Sequence, residues 1–361
     1  MPNLEVVLLE GTPNERGLIH GEMLKLKIDE SIKRTRYFLK KFYHASPKEL
    51  IKRFTNNTNF IKAVKKWTPD LLKELESVGD AAGVDFDELF FLQCMDESGW
   101  CFKAMRESMG GHCSGMGCYK EDDTPTLIAQ TLDWNNINEG LEVLFRIKYP
   151  NSSLECLVPS IPGVLGLMGL NNSPIGITTN ALWTCLNSSL DGLPVNFIVR
   201  GVLEQESLED AINFIKTIQH ASAENYIIGD IEKVVDFECS KNKICQFIPH
   251  ENPRRIYHTN HPIINNDYLL PLDVPRNEDT SWERFEYLKY RLNNPSDKVS
   301  IQTLKYILSS HFGPICVHHN FQSPSGYTQY TAIYSLKSSP ELYITNGPAC
   351  LNEFKLFTLK S

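Results

Sequence analysis

A cysteine at the head of one apolar segment and an aspartate at the tail of the next could do chemistry in this 361-residue chain. Cys113 opens the stretch Cys113-Ser114-Gly115-Met116-Gly117-Cys118-Tyr119. Asp133 closes Thr126-Leu127-Ile128-Ala129-Gln130-Thr131-Leu132-Asp133, with Trp134 next. Between them, Glu121-Asp122-Asp123-Thr124-Pro125 supplies a turn, because Asp and Pro favour tight reversals over strand pairing. If strands 113–120 and 126–133 pair as a hairpin, Cys113 and Asp133 lie close together at one end. A thiol beside a carboxylate, with Gly111, Ser114 and Gly115 around it, reads as a reactive site rather than as packing.

Two geometries could make that thiol a nucleophile. Gly111-His112-Cys113-Ser114-Gly115 fits G-x-C-x-G, the cysteine form of a hydrolase elbow, which must follow a buried strand and open a helix. Here the preceding Met105-Arg106-Glu107-Ser108-Met109 is polar and the following residues read as strand, so the context argues against an elbow. The other geometry makes Cys113 the first residue of a strand and, after backbone cleavage, of a chain. Its own α-amine, with a reference pKa near 8, can then take the thiol proton without a histidine.

Other combinations point to less. His258-Thr259-Asn260-His261 and His318-His319 invite a metal, but neither has the helical i, i+4 spacing or CxxC partner of a zinc motif. They read as loop or core histidines, and no metal is expected. Cys113 and Cys118, five apart on one strand, face opposite sides and do not form a local redox pair. No phosphate-cradling glycine motif follows a strand, so no cofactor is expected.

The elements that must position these residues change character at Cys113. After a first strand within Met1–Gly11, an amphipathic run from Glu22 to about Tyr43 predicts a helix. Further helices are expected from Ser46-Pro47, from Thr68-Pro69-Asp70 and from Asp85. Beyond Cys113 come strands at 113–120, 126–133, 141–149, 154–158 and 175–181, with Gly169–Gly176 as a turn. Helices follow at 195–206 and at 208–219, the latter capped by Ser207 with Asp210 three residues on. A hairpin at 226–230 and 233–238, helices at 281–292 and 300–310, and a last hairpin at 330–336 and 342–345 complete the chain. Blocks of helices and strands without βαβ alternation predict a layered α+β fold.

The hydrophobic content of 42% suffices for a large core. The formal charge of −8, without a long basic run, argues against nucleic acid as a partner. The first residues lack a basic leader and read as a strand, not as a signal peptide. No apolar run is long enough to span a bilayer. Ten cysteines without framework spacing, among them Cys94, Cys156 and Cys316, read as reduced core residues. A cytoplasmic protein is the expectation, and the sequence leaves a homo-oligomer open.

Together these residues resemble the Ntn-hydrolase group of the acyl-coenzyme A:6-aminopenicillanic acid acyltransferase type, cysteine peptidase family C45. Arg16-Gly17 with His20-Gly21 is similar to the family's R-G…G signature, Cys113-Ser114 to its nucleophile, and Leu132-Asp133-Trp134 to its aromatic-flanked Asp. Gly169-Leu170-Asn171, Thr179-Asn180-Ala181-Leu182 and Pro194 with Arg200 and Leu203 continue the resemblance. So do Ser222-Ala223-Glu224-Asn225-Tyr226, Tyr257–His261, Ser281 with Arg284, and Thr345-Asn346-Gly347-Pro348.

The resemblance implies a four-layer αββα sandwich with a helical N-terminal segment, formed as one domain over 1–361. The precursor would cut itself into 1–112 and 113–361. By the same resemblance Cys113 would be the nucleophile and its freed amine the base. Asp133 would orient the amine. Asn225 and the backbone N–H of Trp134 would stabilise the oxyanion. His258 and His261 would hold a loop rather than catalyse. The implied substrate is a small acyl amide or an acyl-coenzyme A-like thioester.

Two departures stand out. His112 occupies a place that is often glycine in the family, which predicts slow self-cleavage, since glycine more readily adopts the strained backbone of an acyl shift. No arginine occurs in Ser323–Thr328, so recognition of a substrate carboxylate does not carry over. Two further readings remain. One is an unprocessed, non-catalytic binding protein on the same fold, marked by an intact His112–Cys113 bond. The other is a cysteine-elbow α/β-hydrolase, marked by a helix directly after Cys113.

Overall fold

The turn at Asp122 folds as its residue types dictate. Asp122 takes a left-handed φ of 46°, and Glu121 and Thr124 exchange both backbone hydrogen bonds across the two-residue loop. In this computed structural model, which describes residues 4–43, 45–102, 113–134, 136–269, 280–294, 298–318 and 326–360, that turn joins the two strands carrying Cys113 and Asp133.

Among the described residues the chain begins with β1 (Glu5–Glu10) and the helices α1 (Pro13–Met23), α2 (Lys25–Phe42), α3 (Pro47–Asn57), α4 (Phe60–Trp67), α5 (Pro69–Ala82), α6 (Phe86–Gln93) and α7 (Met95–Cys101). Strands β2 (Ser114–Cys118), β3 (Thr126–Trp134), β4 (Val143–Lys148), β5 (Glu155–Ser160), β6 (Gly169–Asn171) and β7 (Gly176–Ala181) follow, then helices α8 (Val195–Leu203) and α9 (Leu208–Thr217). Next come β8 (Glu224–Gly229), β9 (Val234–Cys239), β10 (Ile244–Gln246) and β11 (Arg255–His258). Helices α10 (Ser281–Leu292) and α11 (Ile301–Leu308) and strands β12 (Tyr327–Leu336), β13 (Glu341–Asn346) and β14 (Lys355–Thr358) close the chain.

One sheet has the order β1-β4-β5-β6-β7-β8-β9-β10 and the other β11-β2-β3-β12-β13-β14. β2 and β3 of the second sheet pack across β7 and β8 of the first. Helices α8 and α9 cover the outer face of the first sheet, and α10 and α11 that of the second, giving four αββα layers. One apolar core lies between the sheets and under the N-terminal helices, and a second lies beneath α10 and α11 around Met116, Tyr257 and Leu288. Gly115 and Gly117 are the small residues that let the sheets meet. A Cβ at Gly115 would come within 2.9 Å of the Asn180 amide, and one at Gly117 within 2.6 Å of Val234.

Several expectations are corrected. The first helix starts at Pro13, not near Glu22, behind a reciprocal Thr12–Glu15 capping box. Gly17 and Gly21, which look like breakers, are contact glycines. A Cβ at Gly17 would lie 2.2 Å from the Glu74 carbonyl oxygen, so α1 sits directly against α5. Gly169–Asn171 is a strand, leaving only the following residues as the turn. Helix α4 and the short strands β11 and β14 were not foreseen. The Ser207 cap does form, accepting from the Asp210 N–H at 3.1 Å. No helix among the described residues is long and apolar enough to cross a membrane.

Candidate active site

Cys113 immediately precedes β2, and strand rather than helix follows it. That removes the elbow reading, because the backbone after the cysteine points no helix N-terminus at the thiol. β2 pairs with β3 from Ser114↔Thr131 to Cys118↔Leu127, which brings Cys113 to the Asp133 end of β3. Cys113, Asp133 and Trp134 line one cavity of about 50 Å³. Asp96 on α7, Leu167, Thr179 and Ala181 of β7, and Val195 and Asn196 at the start of α8 complete its wall together with Leu132. The bond between His112 and Cys113 lies outside the described residues.

Asn225 is not among the residues lining that cavity. It is fully buried on β8, where its amide nitrogen donates to an Asp236 carboxylate oxygen and, at 3.5 Å, to the Phe237 carbonyl. Its side-chain oxygen accepts from Asn180 at 2.8 Å. The structure therefore brings three of the four expected site residues together and places the fourth in the polar seam between the sheets.

Electrostatics set the thiol and carboxylate in the same direction. Burial pushes the Cys113 thiol up to about 12, and the negative charge of Asp133 adds to this. The Asp133 backbone N–H aimed at the sulfur and the more distant Arg284 charge oppose it without winning. Burial likewise pushes the Asp133 carboxyl up to about 7, against the pull of Thr328 and Arg284. Thr328 stands opposite Asp133 on β12 and its hydroxyl pulls on the carboxyl, yet neither Asp133 oxygen makes a well-formed hydrogen bond among the described residues. A buried carboxyl without partners is poorly held as an anion and is a natural place for a proton or a cationic partner.

An arginine from a different element touches Cys113. Arg284 on α10 is fully buried and donates to the Cys113 carbonyl at 2.5 Å, to the Ser114 hydroxyl at 3.0 Å and to Asn260 at 3.0 Å. It grips the backbone of Cys113 rather than its sulfur. Ser281 and Arg284 were legible as a motif, yet nothing in their spacing gave that contact.

Three further acids were missed. Asp96 and Glu97 on α7 and Glu224 on β8 influence one another electrostatically. Burial pushes Asp96 up to about 6. Burial, then the Asp96 charge, pushes Glu97 up to about 8, and Glu224 is raised well beyond the usual carboxylate range by burial first. Glu97 Oε1 accepts from Val195 N–H at 2.9 Å and Ser222 at 2.8 Å, while its other oxygen and both of Glu224 lack partners among the described residues. Adjacent acids following the apolar run Phe90-Phe91-Leu92 were the available signal.

His258 and His261 lie apart from the cavity. Burial opposes charge on His258, but Asp236 and the hydrogen-bonded Glu238 raise its pKa above the ordinary value. The His258 Nε2–Glu238 contact is 2.8 Å, and Glu238 also accepts from the backbone of Ile263, Ile264 and Asn265 at 2.6–3.1 Å. Together they hold the loop after β11.

A model of the acyl-coenzyme A:6-aminopenicillanic acid acyl-transferase family matches residues 119–343, more than half of the chain. The chain belongs to that family. The matched segment contains Asp133, Trp134, Asn225 and Arg284, and Cys113 stands just upstream of it. No curated protein matches the chain. Among solved structures, the R18L variant of conjugated bile acid hydrolase from Clostridium perfringens is 15% identical, over 68% of this chain and 92% of its own, with a TM-score of 0.46. Penicillin V acylase from Agrobacterium tumefaciens is 13% identical, over 68% and 86%, with a TM-score of 0.43.

Proposed function

We propose that this acyltransferase-family chain is a self-processing amidohydrolase or acyltransferase that works through an acyl-Cys113 thioester. The observation that carries the reading is the shared cavity of Cys113, Asp133 and Trp134, with Arg284 fixing the Cys113 carbonyl. In the uncut chain, burial keeps the thiol protonated. A cut before Cys113 frees an α-amine on the same residue, whose reference pKa near 8 suits it to accept the thiol proton.

The sulfur then attacks the carbonyl of an amide or thioester, and the proton held by the amine passes to the leaving group. The resulting thioester is resolved by water, giving hydrolysis, or by an amine, giving transfer. Asp133 is the partner of the ammonium form, and the Trp134 backbone N–H is the first oxyanion donor. Asn225 becomes the second donor when its amide leaves Asp236. Each such donor contributes about 3–4 kcal/mol to catalysis.

The test is the denatured intact mass of freshly purified protein beside Cys113→Ala. Two pieces divided between His112 and Cys113, with the variant uncut, are expected. A wild-type chain that stays whole on long incubation would replace this reading with a binding protein on the same fold.

A further inference from the structure

We infer that His311, Cys316 and Cys350 form a zinc site. They come from two parts of the fold: His311 and Cys316 from the turn after α11, and Cys350 from the turn after β13. A ring nitrogen of His311 and the two sulfurs all lie within 4.8 Å of one another. The sulfurs are 3.5 Å apart. Tetrahedral zinc, with Zn–S near 2.3 Å, sets two sulfurs about 3.8 Å apart, so the pair already stands close to that edge of a coordination tetrahedron.

The donors also suit the ion. Two thiols and an imidazole are a soft set that zinc prefers over calcium or magnesium. His311 Nδ1 lies 3.1 Å from the Cys316 carbonyl oxygen, and a carbonyl can only accept, so Nδ1 carries the proton and Nε2 the lone pair. Zinc-bound histidines are commonly oriented by such a bond from the other ring nitrogen to a carbonyl. The His318 ring stands 4.8 Å from that of His311, nearly perpendicular to it, but is not one of the three clustered donors. The absence of a metal motif in the sequence is explained by the fold: the donors meet only when β13 lies beside β12.

The site has a neighbour of consequence. Val317 N–H donates to the Thr328 hydroxyl at 3.0 Å, and Thr328 N–H to the Val317 carbonyl at 2.8 Å. Thr328 is the residue opposite Asp133. Zinc on Cys316 therefore fixes the strand that backs the candidate carboxylate. The ion here is structural, since none of its ligands lines the Cys113 cavity.

The experiment is titration of the reduced full-length chain, in a Cys113→Ala background, with Co²⁺ as the spectroscopic probe. One equivalent should give a thiolate-to-cobalt charge-transfer band and tetrahedral ligand-field intensity, displaced by Zn²⁺. Cys350→Ser and His311→Ala should each weaken binding at least tenfold. Loss of the band on a variant that fails to fold is controlled by the parent titration, which needs no substitution at the site. A parent chain with no charge-transfer band would overturn the site. So would a band of equal strength in Cys350→Ser, or recovery of Cys316 and Cys350 as a disulfide in place of metal uptake.

Discussion

Two buried groups of charged side chains sit within the same core and are treated oppositely. On one side Glu74 of α5 is held between Arg16 of α1, at 2.6 and 2.8 Å, and Arg200 of α8, at 3.0 and 3.3 Å. Burial alone would raise its pKa, but Arg200 and Arg16 more than reverse the effect and hold it ionised. On the other side Asp133, Glu97 and Glu224 keep carboxylate oxygens with no partner among the described residues, and their pKa values are driven upward. The first group clamps three helices. The second leaves proton-binding capacity in the core, at Asp133 beside the Cys113 thiol. Saturated buried charge is how this fold secures itself, and unsaturated buried charge marks where it is available to something else.

The sharpest way to break that contrast is Glu74→Gln. It leaves two buried guanidiniums without a full counter-charge and should cost about 3–5 kcal/mol of stability. Urea midpoints measure it, and turnover per folded molecule should stay within a few-fold. An unchanged midpoint would mean that the clamp is ornamental.

Glu97→Gln probes the unsaturated side through pH. The folded carboxyl titrates at about 8 and the unfolded one near 4.5, so between those values the folded state holds a proton that the unfolded state has lost. Stability must therefore fall as pH rises from 4.5 to 8, by roughly 2–4 kcal/mol for this group. Urea midpoints taken across that range should fall less steeply in Glu97→Gln than in the parent, and parallel curves would refute the assignment.

Asp133→Asn tests whether an unpartnered acid works or merely sits. Amide turnover should drop about a hundredfold, with no loss in melting temperature, because a buried carboxyl lacking partners is removed. Activity and stability falling together would place Asp133 with Glu74. The smallest effect is expected from Thr12→Ala, which removes the cap of the helix carrying Arg16 and should cost about 1 kcal/mol in thermal unfolding.

Much of the scaffold could be read from residue types, and the reasons for the failures are physical. The β2–β3 hairpin was legible because Asp122-Asp123 suits a two-residue turn and both flanks are apolar. Helix α1 was not, because Gly17 and Gly21 look like interruptions when only their own chain is in view. Their purpose is the surface of α5. Strands β11 and β14 have four residues each, too few for periodicity to register. That Cys113, Asp133 and Trp134 meet at one cavity was legible because they share one hairpin. Arg284 is 171 residues from Cys113 and its grip on that carbonyl exists only in three dimensions. Asn225 shows the converse: a motif residue whose present partners are Asp236 and Asn180 rather than the cavity.

Strand β1 belongs to the first 112 residues, yet it is hydrogen-bonded in parallel to β4 from Glu5↔Val143 to Glu10↔Lys148. A chain severed before Cys113 would thus remain a zipped pair of fragments, each supplying strands to one sheet. Its unfolding would become a dissociation. Dilution would lower its melting point, and the smaller piece, once lost, would have to find its mate again by diffusion. An enzyme made this way would be assembled once, as an intact chain, and could not easily be reassembled from its parts.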